Sequence, residues 1–130
     1  MKGYITNIEQ DTRKNADFRR VLYTAPHSQL VLMSLKPGEE IGEEVHKLDQ
    51  FFRFETGRGT VVLDGVTHEV KDGTAVVVPA GAWHNVINNG EVDLKLYTIY
   101  SPPEHRDAVI RHTKEEAIEN EEHFDGKTTE

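Results

Sequence analysis

Four residues of metal-binding type occur at spacings that would bring their side chains together: Glu44, His46, Gln50 and His84. Glu44 and His46 are separated by one residue, so on a β-strand both side chains leave the same face. Gln50 follows after a break long enough for the chain to reverse direction, and His84 follows a β-rich run that ends in a turn sequence. Two imidazole nitrogens, one carboxylate oxygen and one amide oxygen are expected to converge, and these donors suit a divalent transition metal.

The role of Gln50 has two interpretations. An amide oxygen is a poorer metal donor than a carboxylate, so Gln50 is either a weak or water-mediated ligand, or a residue that orients the ligands by hydrogen bonding. Without it, Glu44, His46 and His84 form the two-His-one-carboxylate set associated with non-haem Fe(II). Mn, Fe, Ni and Zn all remain open, since affinity order alone does not decide which metal a site receives in a cell.

The segment that holds the first three of these residues resembles the first cupin motif, and the segment around His84 is similar to the second. Both segments match at the family's intervals: Gly38, Glu44, His46, Gln50 and Gly57, then Gly73, Pro79, Gly81, His84 and Asn88. The resemblance covers about residues 30–100. It implies the cupin double-stranded β-helix, a jelly-roll barrel, and the chain looks like the small single-domain, mannose-6-phosphate isomerase-like group.

Two positions depart from the motif. Glu44 stands where the family's pattern has its first His, and Gln50 stands where the pattern has Glu. The carboxylate count is unchanged but the carboxylate has moved. The site is therefore still expected to carry one negative charge among neutral donors.

Short β-rich runs surround and connect the two motifs: Val21–Tyr23, Gln29–Leu35, Phe51–Glu55, Thr60–Leu63, Thr67–Val70, Ala75–Val78, Val86–Asn88 and Leu94–Tyr100. Asp64-Gly65 is typical of a two-residue hairpin turn. The run from Thr74 to Val78 is expected to be a buried strand. Short strands without intervening helices predict an all-β sandwich or small barrel, which the resemblance narrows to the jelly roll.

The C-terminal extension, residues 101–130, has a different pattern. Thr113 with Glu116 predicts a capping box that opens a helix over about residues 114–122. The helix is mostly charged, so we expect a surface element with a frayed end and no part in the site. Residues 1–130 are interpreted as a single cupin domain, and five histidines as structural or surface residues: His27, His68, His105, His112 and His123.

Composition limits the classes of partner. The formal net charge of -8 argues against nucleic acid and anionic membrane surfaces, which require clustered Lys and Arg. The absence of cysteine excludes a disulfide framework, a thiol nucleophile and a cysteine-based zinc finger. No run is apolar enough to span a membrane and the N-terminus lacks the apolar core of a signal peptide, so a cytoplasmic location is expected.

Three functions are compatible with these residues. The first is a metal-dependent enzyme, isomerase-like or dioxygenase-like, acting on a small oxygen-rich molecule. The others are a non-catalytic module that holds or senses such a molecule through the same metal, and a purely structural metal site.

The surroundings of the site are less determined by the sequence. Phe52 and Phe54 share strand parity with Gln50, so they either pack in the core or wall an apolar pocket beside the metal. Arg53 has the opposite parity, and no Arg or Lys is predicted to face the pocket. A homodimer is expected, with Val21–Tyr23 as a candidate edge element that association would cover.

Overall fold

The computed structural model describes residues 1–130. Nine strands and two short helices follow along the chain: α1 (Ile8–Lys14), β1 (Arg19–Thr24), β2 (Gln29–Leu35), β3 (Asp49–Thr56), β4 (Arg58–Leu63), β5 (Val66–Lys71), β6 (Ala75–Val78), β7 (His84–Ile87), β8 (Leu94–Ser101), β9 (Ile110–Arg111) and α2 (Lys114–Glu119). Neither helix is long and apolar enough to cross a membrane.

The strands form two antiparallel sheets. The larger has six strands in the order β6-β3-β8-β2-β1-β9, and the smaller has three in the order β5-β4-β7. Along β8, buried residues alternate with half-buried ones, which is the period of a strand with one face on the core. Side chains of both sheets, including Phe54, Leu96, Val61 and Val86, share one hydrophobic core. The predicted all-β architecture is confirmed.

The hairpin predicted at Asp64-Gly65 joins β4 to β5. Asp64 and Gly65 have φ angles of 45° and 80°, and positive φ at both central residues is what a type I′ turn requires. The turn sets the register that pairs Leu63 with Val66.

The prediction of a buried strand ending at Val78 is wrong in one respect. The strand exists as β6, but β6 is an edge strand that pairs only with β3, and Val77 is 65% exposed. A short apolar run does not reveal whether one or both of its faces are covered.

The N-terminal helix was not predicted, although its cap is visible in the sequence. The Asn7 side chain accepts a hydrogen bond from the Gln10 backbone N–H at 3.1 Å, and Asn followed three residues later by Gln is a helix-start pattern. Helix α2 begins as predicted, with the Thr113 hydroxyl accepting from the Glu116 N–H at 3.1 Å. It ends at Glu119 rather than at residue 122.

The C-terminal extension packs against the large sheet, contrary to the predicted frayed end. Strand β9 pairs with the start of β1 and sets Arg111 opposite Arg19. The Val21 N–H donates to the Val109 carbonyl at 2.9 Å, so the suggestion that Val21–Tyr23 forms a sheet edge is also wrong. Further along, the Phe124 N–H donates to the Glu104 carbonyl at 2.8 Å.

Candidate metal centre

Backbone hydrogen bonds join the two motif segments directly. The Glu44 N–H donates to the His84 carbonyl at 2.8 Å, and the His84 N–H donates to the Glu44 carbonyl at 2.9 Å. The Gly81 N–H also donates to the His46 carbonyl at 2.8 Å. These bonds hold the two segments in register although about forty residues separate them in the sequence.

Three of the four predicted ligand side chains converge. One ligand atom each from Glu44, His46 and His84 lies within 4.8 Å of the other two. Glu44 Oε2 is 3.2 Å from His46 Nε2 and 3.9 Å from His84 Nε2. These separations suit donor atoms that face a common point, and imidazole nitrogen with carboxylate oxygen suits a divalent transition metal.

His84 is prepared for metal binding by its second ring nitrogen. Its Nδ1 lies 3.1 Å from the Ala82 carbonyl oxygen. A carbonyl only accepts, so Nδ1 carries a proton, and in the neutral ring Nε2 then carries the lone pair. The side chain is 2% exposed, and Nε2 is buried without any hydrogen-bond partner. An orphaned lone pair is costly in a core, and a metal ion would satisfy it.

Gln50 occupies the inward face of β3, where it pairs with Val78 of β6 and Tyr100 of β8. Its side-chain Nε2 donates to the Thr98 hydroxyl at 3.0 Å. That bond leaves the amide oxygen as the free end of the side chain, and this oxygen is buried with no partner. The amide is thus oriented as either interpretation of Gln50 requires, with a donor anchored and an acceptor available.

The charges of the cluster are coupled. Burial raises the pKa of Glu44, but the hydrogen bond with His46 and the electrostatic effects of His46, His84 and Arg19 outweigh it, so the net pKa is lowered. The pKa of His46 is raised, chiefly by its hydrogen bond with Glu44 and despite partial burial. Glu44 is therefore ionised at neutral pH and contributes the single negative charge that the sequence predicts.

A cavity of about 220 Å³ adjoins Glu44 and His46. Its apolar walls include Phe18 and Ile41, and neither Phe52 nor Phe54 lines it. Both residues lie in the core, which is the first of the two interpretations given for them, and the Phe52 ring centroid is 6.1 Å from that of His84.

The C-terminal extension supplies much of the cavity lining, contrary to the expectation that it takes no part in the site. Its contributions are Glu104, His105, Lys114, Ala117, Ile118, Glu121, Glu122 and His123. Strand β9 contributes to this placement, because it pairs the extension with the start of β1, whose first residue, Arg19, also lines the cavity. The histidine at position 105, predicted to be structural or on the surface, is among these residues.

Tyr100, His105 and Glu122 form a hydrogen-bonded chain in the cavity wall. The Tyr100 hydroxyl is 3.2 Å from His105 Nε2, and His105 Nδ1 is 3.0 Å from Glu122 Oε1. Burial lowers the pKa of His105 even against the opposing effect of Glu122. Burial raises the pKa of Glu122, but His105, Arg19 and Arg111 outweigh it and the pKa is lowered. Burial also raises the pKa of the Tyr100 hydroxyl.

These protonation states fix the direction of the chain at neutral pH. The ionised Glu122 only accepts hydrogen bonds, so His105 Nδ1 carries a proton and donates a hydrogen bond to the carboxylate. Neutral His105 then accepts at Nε2 from the Tyr100 hydroxyl. The Tyr100 ring also packs edge-on against His46, with 6.1 Å between centroids. The hydrogen-bonded chain therefore ends beside the candidate metal ligands.

Strand parity was the only sequence signal for these additional residues. Tyr100 shares the inward face of β8 with Leu96 and Thr98, and Gln50 lies in the same way on the inward face of β3. Position alone does not mark Arg19 or His105 as cavity residues, because their placement depends on how β1 and the extension pair.

Comparison with known proteins identifies the family. Residues 31–100 match the family described as Cupin domain. The chain is 45% identical over 128 residues to the uncharacterized protein YrkC of Bacillus subtilis, covering 93% of this chain and 69% of that protein. The crystal structure of BH2720 from Bacillus halodurans is similar with a TM-score of 0.90 and 44% identity, covering 92% of this chain and 96% of that one. An RmlC-like cupin from Shewanella frigidimarina shares the fold at a TM-score of 0.60 and 23% identity, with coverage of 65% and 74%. Together with the two motifs and the jelly-roll architecture, these matches show that the chain belongs to the cupin family.

Proposed function

We propose that this protein is a metal-dependent enzyme that acts on a small oxygen-rich molecule. The observation that carries the proposal is the convergence of the Glu44, His46 and His84 donor atoms within 4.8 Å of one another, beside a cavity. Gln50 is the proposed fourth ligand, because its buried amide oxygen has no other partner.

The ligand residues are held in place by the protein itself. Ala82 fixes the ring of His84 through its Nδ1, and Thr98 anchors the amide nitrogen of Gln50. A divalent metal bound there supplies Lewis-acid polarisation of a substrate oxygen. Four protein donors leave room for water or substrate oxygens in a coordination sphere of about six. A closed structural site would more typically use Cys and His alone.

The Tyr100–His105–Glu122 chain favours catalysis over simple binding. The neutral Tyr100 hydroxyl is hydrogen-bonded to the neutral His105 imidazole, which is hydrogen-bonded in turn to the Glu122 carboxylate. This linkage places groups that can donate and accept a proton in the cavity wall. A site that only retains a ligand has no need of this linkage. An isomerisation would remove a proton from one substrate carbon and return it to another. The Tyr100 oxygen would take up that proton as its own proton passes to His105 Nε2, and the reverse transfer would return it, so this chain supports the isomerase-like reaction over dioxygen chemistry.

The test is solvent deuterium exchange. Protein loaded in parallel with Mn²⁺, Fe²⁺, Ni²⁺ or Zn²⁺ is incubated in D₂O with small hydroxy acids, oxo acids and sugar phosphates, and proton NMR follows both conversion and loss of C–H signals. Exchange detects proton abstraction even where substrate and product are identical. We expect metal-dependent exchange for at least one compound.

Matched variants separate catalysis from binding. Tyr100→Phe is expected to retain the metal and abolish exchange, whereas Tyr97→Phe, which removes a hydroxyl from the outward face of the same strand, is expected to retain both. If the loaded protein binds a compound without exchange or conversion, the non-catalytic binding module replaces the enzyme. A metal whose coordination sphere has no exchangeable water would leave only the structural site.

A further inference from the structure

Arg19 is a desolvated cation without a hydrogen bond. It is the first residue of β1, its side chain lines the cavity beside the metal cluster and that side chain is only 12% exposed. Its Nε is buried with no partner, and its nearest carboxylate oxygen, on Glu122, is 3.8 Å from NH1, too far for a hydrogen bond. Burying a guanidinium in this way is costly unless something completes its donors.

Glu122 does not supply Arg19 with a hydrogen-bond acceptor. Glu122 Oε1 is already 3.0 Å from His105 Nδ1, and Glu122 Oε2 is 3.1 Å from Arg111 NH2. Both of its oxygens therefore have closer partners than Arg19. The ring of Phe18 also lies beside Arg19, with its centroid 5.5 Å from the guanidinium carbon. A ring face attracts the cation but accepts none of its five N–H groups in the plane of the fork.

The unpaired guanidinium of Arg19 and the proposed metal ligands face the same cavity. Arg19, Glu44 and His46 all line it, and the charge of Arg19 acts on the pKa of both proposed ligands. A volume of about 220 Å³ is below the range of roughly 300–1,000 Å³ for pockets that hold drug-sized ligands. Because the cavity is this small, one small molecule that fills it would contact both the proposed metal and the guanidinium of Arg19.

We propose that the ligand of this site is a small organic acid that binds the metal through oxygens at one end and places a carboxylate on Arg19 at the other. The planar guanidinium fork matches a carboxylate with two parallel N–H···O bonds. The carboxylate would satisfy the donors that the protein leaves free. This inference rests on the proposed function, because it takes the metal at Glu44, His46 and His84 as the second anchor.

Malate and lactate provide a matched pair of probes. Both carry the same α-hydroxy-carboxylate group, which chelates a divalent metal, and only malate has a second carboxylate. Titration calorimetry on Mn²⁺-loaded protein is expected to show malate binding about tenfold to hundredfold tighter than lactate, the range of one charge-assisted pair. Arg19→Gln is expected to remove this preference while lactate affinity and metal content stay unchanged.

Two further variants keep the result interpretable. Arg20→Gln removes the neighbouring arginine, which pairs with Asp17 instead, and is expected to leave the malate preference intact. Arg19→Lys keeps the charge without the fork and is expected to retain only part of the preference, which tests the contact even if Arg19→Gln fails to fold.

The outcomes distinguish this inference from the proposed function. Equal malate and lactate affinity in the loaded wild type, binding of neither acid, or a malate preference that survives in both Arg19 variants overturns the assignment of Arg19 while metal uptake stands. Failure of the wild type to take up any metal overturns the proposed function and this inference together.

Discussion

Removal of both imidazoles is expected to abolish the stabilisation of this protein by metal. A ligand that binds only the folded state at a free concentration of one hundred times its Kd adds about 2.7 kcal/mol to the free energy of unfolding. For 130 residues, an unfolding entropy of about 2.1 cal/mol/K per residue converts this into a rise in Tm of about 10 °C. The wild type should show this rise between chelator and saturating metal, and the His46→Ala/His84→Ala variant should show none.

The readout is the difference between two scans of the same protein, so the intrinsic cost of the substitutions cancels. That cost has two opposing parts for His84. The change to Ala removes its bond to the Ala82 carbonyl and leaves a cavity, but it also removes the orphaned Nε2, which costs about 1–3 kcal/mol in the metal-free protein. A lower Tm of the variant in chelator therefore says nothing about metal binding.

The matched control is His27→Ala/His68→Ala, which removes the same number of imidazoles from exposed positions. It should retain the full metal-induced rise, and elemental analysis should find close to one divalent metal per chain in it and in the wild type. The same rise in the His46→Ala/His84→Ala variant, with unchanged metal content, would refute the assignment of the site.

Gln50→Glu is expected to tighten divalent metal binding in a competition titration, because it adds a second carboxylate to the donors; weaker binding would instead favour a role in orienting the ligands. His112→Gln is expected to destabilise the protein below about pH 6.5 and progressively less as the pH rises through the raised pKa of His112, whose hydrogen bond with Asp17 favours the protonated imidazole. Urea unfolding at two pH values measures this, and equal losses at both would contradict it. A homodimer is expected because Val77, paired with the half-buried Phe51, is 65% exposed on the edge strand of the large sheet; Val77→Lys should weaken association in sedimentation, and a wild-type monomer at all concentrations would count against it.

The convergence of the candidate metal ligands Glu44, His46 and His84 was predictable because each residue belongs to a short local pattern. Gly57 illustrates why such a pattern persists in the sequence. It has a φ of +90°, and a Cβ there would lie 2.6 Å from the Asp93 carbonyl oxygen, so no other residue fits without a shift. A constraint of this kind, here the close approach of Gly57 to Asp93 and Leu94, appears directly as a motif residue.

The other half of the cavity depends on contacts between distant segments. Arg19 and Arg20 are adjacent and identical in type, yet one lines the cavity and the other pairs with Asp17 near the surface. Strand β1 has an irregular register between Val21 and Tyr23, so parity counted along it does not identify the inward residue. Strand β9 has only two residues and no hydrophobic period, and His105 is held by the Gln29 side chain, which donates to the His105 carbonyl at 2.7 Å and accepts from its N–H at 3.0 Å. None of these contacts leaves a local sequence pattern.

The two departures from the cupin motif exchange the positions of charge and neutrality in the site. Gln50, where the family's pattern has Glu, is 3% exposed, whereas the Glu44 side chain is 34% exposed beside the cavity. A neutral amide in the buried position avoids the desolvation cost of a carboxylate there. The negative charge instead faces the space that a ligand would enter. An acid would be repelled by Glu44 alone, so its binding at the ligand cluster requires the charge of the metal, and the cation of Arg19 would add affinity only for an acid that carries a second carboxylate.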